Sequence, residues 1–177
     1  ASDYTLVKAS PFHRNAIQEL KEACDEAGIK LGLYYSHAKD WYHKGGEPLY
    51  NWAEPCTPED RQHYLDTIAL PQVKEIASKY RPALIWFDTP QMMTPEIARK
   101  FSDTVRAASP ETLINSRLLR SGASIVGLSR EDRDVLRDVG VDYLSFRDRE
   151  IPEASPWPYW ESCMTLNDSW GYTESDH

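Results

Sequence analysis

Apolar residues recur at helical spacing over residues 15–27 (NAIQELKEACDEA), where Ala16, Ile17, Leu20, Ala23, Cys24 and Ala27 form one stripe. Gly28 follows where a helix C-terminal cap sits. KLGLYYS (30–36) is a compact apolar run with aromatics and predicts a buried strand. Residues 37–58, rich in His, Trp, Tyr, Gly and Pro, have no period; a loop of that length exceeds what packing requires and is of the kind that carries function. Helical spacing returns from Pro58 to Tyr80, with Leu65, Ile68, Ala69, Val73, Ile76 and Ala77 inward. Pro71 lacks an N–H and crowds the preceding turn, so a kink or break is expected there. ALIWFD (83–88) predicts a second strand. Thr94-Pro95 supplies an N-cap and a first-turn proline for a helix to about Ala108, with Ile97, Ala98, Phe101 and Val105 inward. TLINS (112–116) predicts a third strand, and VDYLSF (141–146) and YWESCMT (159–165) a fourth and fifth. The charged stretch 118–140 between them supports only a short helix at 130–138.

Strand, helix, strand, helix, strand implies parallel pairing through crossover helices, an α/β fold. The two candidates are an open doubly wound sheet and a (β/α)8 TIM-like barrel. A phosphate-binding GxGxxG or P-loop would favour the open sheet, and neither occurs. Ser36, Asp88, Ser116-Arg117 and Glu161 stand at strand ends, the arrangement of a barrel, whose catalytic groups gather at the C-terminal ends of its strands. A whole barrel takes about 250 residues. A chain of 177 with four or five strands is therefore expected to be a partial barrel.

Composition narrows the ligand more than the fold. The chain is 41% hydrophobic and 27% charged, as ordinary globular domains are. No window approaches eighteen consecutive apolar residues, so no membrane span is expected, and the opening ASDYTLVKAS has neither the basic nor the apolar region of a signal peptide. A net charge of −8 repels nucleic acid and anionic membranes and leaves neutral ligands open. Six Trp and ten Tyr lie largely beside Gly, Pro and charged residues, a placement that suits sugar rings, although core packing accounts for most of them. Cys24, Cys56 and Cys163 form no CxxC, no zinc-spaced cluster with His and no disulfide framework, so neither a metal nor a compartment follows from them.

Among residues able to carry chemistry, Asp88 stands out: an apolar strand ends in a carboxylate beside Trp86, where a rigid element would hold it at a barrel mouth. A carboxylate capping the following turn accounts for the same pattern. Glu161 lies within PWPYWESCMT, and burial among aromatics favours the protonated carboxyl that a general acid needs; an ion pair with an Arg is the plainer alternative. Arg117 can give two parallel hydrogen bonds to a carboxylate or to sugar hydroxyls. Tyr34, Tyr35, His37 and Trp41 follow the first strand and can line a pocket, or pack in the core. His13, His43, His63 and His177 show no partner spacing. Two strand-end carboxylates, an arginine and aromatics together suggest cleavage of a glycosidic bond.

The segments LGLYYS, LIWFD, LINSR and WESCMTLNDSWGY, in this order, resemble the family 29 glycoside hydrolases, the α-L-fucosidases. The resemblance runs through most of the chain. It implies that 1–177 is part of one catalytic (β/α) barrel domain, with N-terminal strands, a His-His-Asp-Gly motif, the closing strands and a C-terminal β-sandwich outside it. It implies Asp88 as nucleophile and Glu161 as acid/base, with Glu150 of DREIPE the alternative acid/base, and Tyr35, Trp86 and Arg117 as substrate-binding residues. Thr89 departs from the glycine common after the nucleophile. The implied reaction is hydrolysis of α-L-fucosides by double displacement with retention, the two carboxyl groups about 5–5.5 Å apart. The implied partner is a fucosylated glycan, with no cofactor or metal, in a periplasmic, extracellular or lysosomal compartment. Alternatives are the same machinery acting on an α-L-galactoside, or a non-catalytic carbohydrate-binding barrel.

Overall fold

In β2 (Leu84–Asp88) every second side chain is fully buried: Ile85 and Phe87 face the helices, while Leu84, Trp86 and Asp88 face the other way. This computed structural model describes residues 2–46 and 56–174; His177 and the middle of the 37–58 loop lie outside them. Around β2 the order along the chain is α1 (Leu6–Ala9), α2 (Ala16–Glu26), β1 (Gly32–Ser36), α3 (Pro58–Tyr64), α4 (Leu70–Tyr80), β2, α5 (Pro95–Ala108), β3 (Leu113–Ile114), α6 (Arg130–Asp138), β4 (Leu144–Ser145) and β5 (Trp160–Glu161). β1 pairs with β2, β2 with β3 and β4 with β5, all in parallel. A parallel bridge between Asn115 and Tyr143 joins β3 to β4, with the amide of Asp142 on the carbonyl of Ile114 at 2.9 Å. Five strands thus lie side by side in chain order, without the reversal that marks a doubly wound sheet.

The core lies between the sheet and the helices that follow β1 and β2. Ile85, Phe87, Ile114 and Leu144 meet Val73 and Ala77 of α4 and Ala98, Phe101 and Val105 of α5. The caps agree with the sequence. Thr57 and Asp60 form a capping box over α3, Ser129 and Asp132 another over α6, and Thr94 caps α5 ahead of Pro95.

Several expectations needed correction. Pro71 does not break its helix: a π turn over Leu65–Ala69 widens the helix just before the proline and joins α3 to α4. β1 is not the buried strand expected of residues 30–36: none of Gly32–Ser36 is buried and Tyr34 is exposed, and Ile17 and Leu20 of α2 are exposed too, because among the described residues no element covers that side. β4 and β5 are two residues long rather than six and seven, and β3 two rather than five. Beyond it the side chain of Asn115 takes over the pairing of β2, its Oδ1 accepting from the Phe87 amide and its Nδ2 donating to the Phe87 carbonyl, both at 3.0 Å. The main chain is thereby released into a 3₁₀ turn over Ser116–Leu118. The short helix expected at 130–138 is α6, and a second 3₁₀ turn at Gly122–Ile125 precedes it.

Candidate active site

The parallel register puts Ser36 opposite Asp88 and Tyr34 opposite Trp86, so all four side chains share the sheet face away from the helices. On that face the hydroxyl of Tyr34 donates to Asp88 Oδ2 at 2.8 Å, and Nη1 of Arg117 donates to Oδ1 at 3.1 Å. Arg117 reaches Asp88 because the 3₁₀ turn after Asn115 swings it there. Its side chain is 9% exposed. Its Nη2 donates to the Asp148 carboxylate and to the Phe146 carbonyl, and lies 3.7 Å from Cys163 Sγ. The guanidinium also covers the Trp86 ring at 4.9 Å, and Trp86 stacks on Tyr34 at 5.5 Å.

These contacts set the protonation states. Burial works against the charged guanidinium, but the carboxylates of Asp148 and Asp88 outweigh it and hold Arg117 above its ordinary value. Burial first, and Asp88 second, push the Tyr34 phenol up to about 12, so it remains a donor at neutral pH. Burial, aided by Glu161, Asp148 and Asp88 against the opposing Arg117, pushes the Cys163 thiol up to about 11.

Glu161 ends β5 opposite Ser145. Its Oε1 accepts from the Trp86 indole N–H and from the Ser145 hydroxyl, which itself accepts from Asn115 Nδ2 at 3.1 Å. Trp86 therefore ties the two candidate carboxylates together: it precedes Asp88 by two residues on β2 and holds Glu161 by its indole edge.

Several predicted positions fall elsewhere. Tyr35 is turned by strand alternation to the helix side, where its hydroxyl donates to Gln72 at 2.7 Å; Tyr34 occupies the place expected of it. His37 does not line a pocket. It is fully buried against Phe87 and Phe101, its Nε2 donates to the Leu118 carbonyl at 2.9 Å, and burial lowers its pKa to about 4, leaving the ring neutral. Trp41 is exposed in the loop after β1. The aromatics beside Glu161 in sequence do not surround it: Trp157 is buried with its N–H on the Asp142 carbonyl, Tyr159 is exposed, and Trp160 packs on Phe146. Glu150 lies 3.8 Å from Arg147. His43, expected to lack a partner, holds Asp40 at 2.8 Å and Ser2 at 3.2 Å. Asp148, Ser145 and Asn115 were missed. For Ser145 the alternation of VDYLSF was a usable signal; for Asp148 there was none.

Among the described residues no group of His, Cys, Asp and Glu could hold a metal ion. A cleft of about 820 Å³ opens at the opposite, N-terminal ends of the strands, lined by Lys30, Arg81, Pro110 and Leu113 among others. In sheets of this kind chemistry belongs to the C-terminal ends, so Asp88 rather than this cleft marks the site.

The model of the alpha-L-fucosidase family matches residues 1–177. The chain belongs to the alpha-L-fucosidase family. It is 26% identical over 168 residues to the tissue alpha-L-fucosidase of Mus musculus, covering 90% of this chain and 32% of that relative. Among solved structures, alpha-L-fucosidase AlfC from Lactobacillus casei in complex with alpha-L-fucose product is 36% identical, with a TM-score of 0.71 over 99% of this chain and 53% of that one. The alpha-L-fucosidase of Vibrio sp. strain EJY3 is 25% identical, with a TM-score of 0.76 over 99% of this chain and 30% of that one. This family chain thus spans between about a third and a half of the length of these relatives.

Proposed function

We propose that the chain is the nucleophile-bearing arc of a (β/α)8 barrel in a retaining exo-glycosidase that removes α-L-fucosyl groups from glycans. The observation that carries this reading is Asp88 at the C-terminal end of β2, its two carboxylate oxygens held separately by Tyr34 and Arg117. Two donors on an ionised carboxylate fix its orientation and leave its charge to attack an anomeric carbon. Strands in unbroken chain order support the barrel. Structures of AlfC variants hold Fucα(1,6)GlcNAc and 4-nitrophenyl-α-L-fucopyranoside, which supports a fucoside as the substrate.

Glu161 is the acid/base of this reading. Both of its hydrogen bonds fall on Oε1, which leaves Oε2 to protonate a leaving-group oxygen. In the first step Asp88 forms a glycosyl ester as Glu161 gives its proton to the departing oxygen. In the second, Glu161 takes a proton from water, which hydrolyses the ester. Glu150, half-buried and beside Arg147, is the alternative carboxyl.

The test is an assay of the intact protein on aryl α-L-fucoside and aryl α-L-galactoside, with the first-formed anomer followed by NMR. The reading requires turnover of the fucoside and initial release of the α anomer. Preference for the galactoside would move the substrate, and initial β product would remove the double displacement. Glu161→Gln should slow substrates with poor leaving groups far more than activated aryl fucosides; if Glu150→Gln alone does so, the acid is Glu150.

A further inference from the structure

Thr89 follows Asp88 directly and has φ +56°. A β-branched residue rarely enters this left-handed region, which glycine occupies without steric cost. Two hydroxyl bonds accompany the strained turn. Thr89 Oγ1 donates to the Asp88 carbonyl at 2.7 Å, and since that uses its only hydrogen, Ser36 Oγ donates to Thr89 Oγ1 at 2.5 Å. Ser36 is the last residue of β1 and stands opposite Asp88. Its hydroxyl therefore reaches one residue past the register to tie β1 to the turn. Three residues on, Met92 is also left-handed at φ +58°, and its sulfur accepts from Arg61 Nη2 at 3.2 Å. Arg61 is buried, and its Nη1 donates to the Ala38 carbonyl in the loop after β1. The segment after Asp88 is thus held from the β1 side at both of its left-handed residues.

Tyr34 and Arg117 fix the carboxylate of Asp88, and pairing with β1 holds its main chain as far as the end of β2; the turn beyond it is held by the hydroxyl pair. A glycine at 89 would make the same turn without strain, but without a hydroxyl. We propose that the Ser36–Thr89 hydroxyl pair is a positioning device for Asp88: it locks the carbonyl and the following peptide, so the carboxylate meets its partners from one backbone orientation, at a cost in fold stability. This rests on Asp88 being the nucleophile, and part of its test does not.

In the intact protein, Thr89→Gly should raise Tm by about 3 °C as strain is released and lower kcat on an aryl α-L-fucoside about 10-fold, with KM within about 2-fold, since small displacements of a reacting group act on the chemical step. Thr89→Ser keeps the hydroxyl and should retain kcat within about 3-fold. Ser36→Ala and Thr89→Val should each lower kcat, and the double variant no further than Thr89→Val alone. A crystal structure of Thr89→Gly should show the Asp88 carboxylate moved off Tyr34 or Arg117; this arm requires no substrate. If Thr89→Gly gains stability while keeping both kcat and the carboxylate position, or if Thr89→Ser fails as badly as Thr89→Val, the pair positions nothing. If the parent protein does not turn over α-L-fucosides but the carboxylate moves as described, the proposed activity fails and the positioning stands.

Discussion

Phe87 and Asp88 are consecutive in β2 and belong to different worlds. Phe87 points into the helices, fully buried, with rings of His37, Phe101 and Tyr35 around it at 5.2, 6.0 and 6.4 Å. Asp88 points the other way, into a lattice of hydroxyl, guanidinium and indole. On the helix face, burial of apolar area supplies the stability and almost any well-packed side chain would serve. On the other face, each polar atom needs its own partner, and the partners come from β1, β2, the turn after β3, and β5. The difference is one of tolerance: the first face accepts volume-conserving exchange, and the second fails when a single donor is displaced.

The widest separation of the two faces should come from paired substitutions at 87 and 88. Asp88→Asn in the intact protein should lower kcat by at least about 1000-fold while shifting Tm little, because Arg117 keeps Asp148; azide should restore turnover of an activated fucoside without restoring retention. Phe87→Ala should do the reverse, losing about 3–5 kcal/mol of stability and activity only in proportion to the unfolded fraction. A stable, inactive Phe87→Ala or an unfolded Asp88→Asn would erase the distinction between the faces.

Arg117→Met is a harder case, since it takes the cation from both Asp88 and Asp148 and leaves Asp88 with the Tyr34 hydroxyl. Arg117 is buried but Asp148 is exposed, so solvent screens part of the loss; this variant should lose about 1–3 kcal/mol of stability as well as turnover, and Asp148→Asn should recover part of the stability. Tyr34→Phe and Tyr35→Phe test alternation directly. The first should cut kcat/KM about 10-fold with little change in Tm. The second should lose about 1 kcal/mol of stability and leave the kinetics alone. Equal kinetic effects would contradict the assignment of the two tyrosines to opposite faces.

The last effect, spread over a range of pH rather than caused by a substitution, comes from the helix face. His37 has its pKa lowered to about 4 by burial, against an ordinary 6.5. Between those values the unfolded chain binds a proton that the folded chain refuses, so stability is full above pH 6.5 and declines as pH falls toward 4. The decline is worth up to about 3 kcal/mol. Denaturant midpoints measured from pH 7 to pH 4 should fall more steeply for the parent than for His37→Asn; parallel slopes would mean that the His37 ring is solvated.

The helices were legible because their caps and apolar periods are local: Thr94-Pro95 announces α5, and Val73, Ala77, Phe101 and Val105 took their expected inward places. Asp88 was legible as a polar residue closing an apolar strand. The partners of Asp88 were harder to read. Tyr34 and Tyr35 are adjacent, and only the pairing of β1 with β2 decides which one faces Asp88. The brevity of β3 depends on Asn115 replacing a backbone ladder, a tertiary contact that no run of residues announces. The aromatics flanking Glu161 in sequence face away from it, while Trp86, seventy-five positions earlier, donates to it. Sequence neighbours are poor guides to surroundings in a strand, where each residue faces opposite to the next.

The most direct test of Asp88 as nucleophile is covalent capture. The intact protein would be incubated with a 2-deoxy-2-fluoro-α-L-fucosyl donor bearing a good leaving group, whose fluorine slows hydrolysis of the glycosyl ester, then digested and analysed by mass spectrometry. The account predicts one fluorofucosyl group per chain, on the carboxylate of Asp88, with activity recovering as the ester hydrolyses. A label on Glu161, Glu150 or Asp148 would contradict it, as would continued turnover of an ordinary fucoside with Asp88 replaced by alanine.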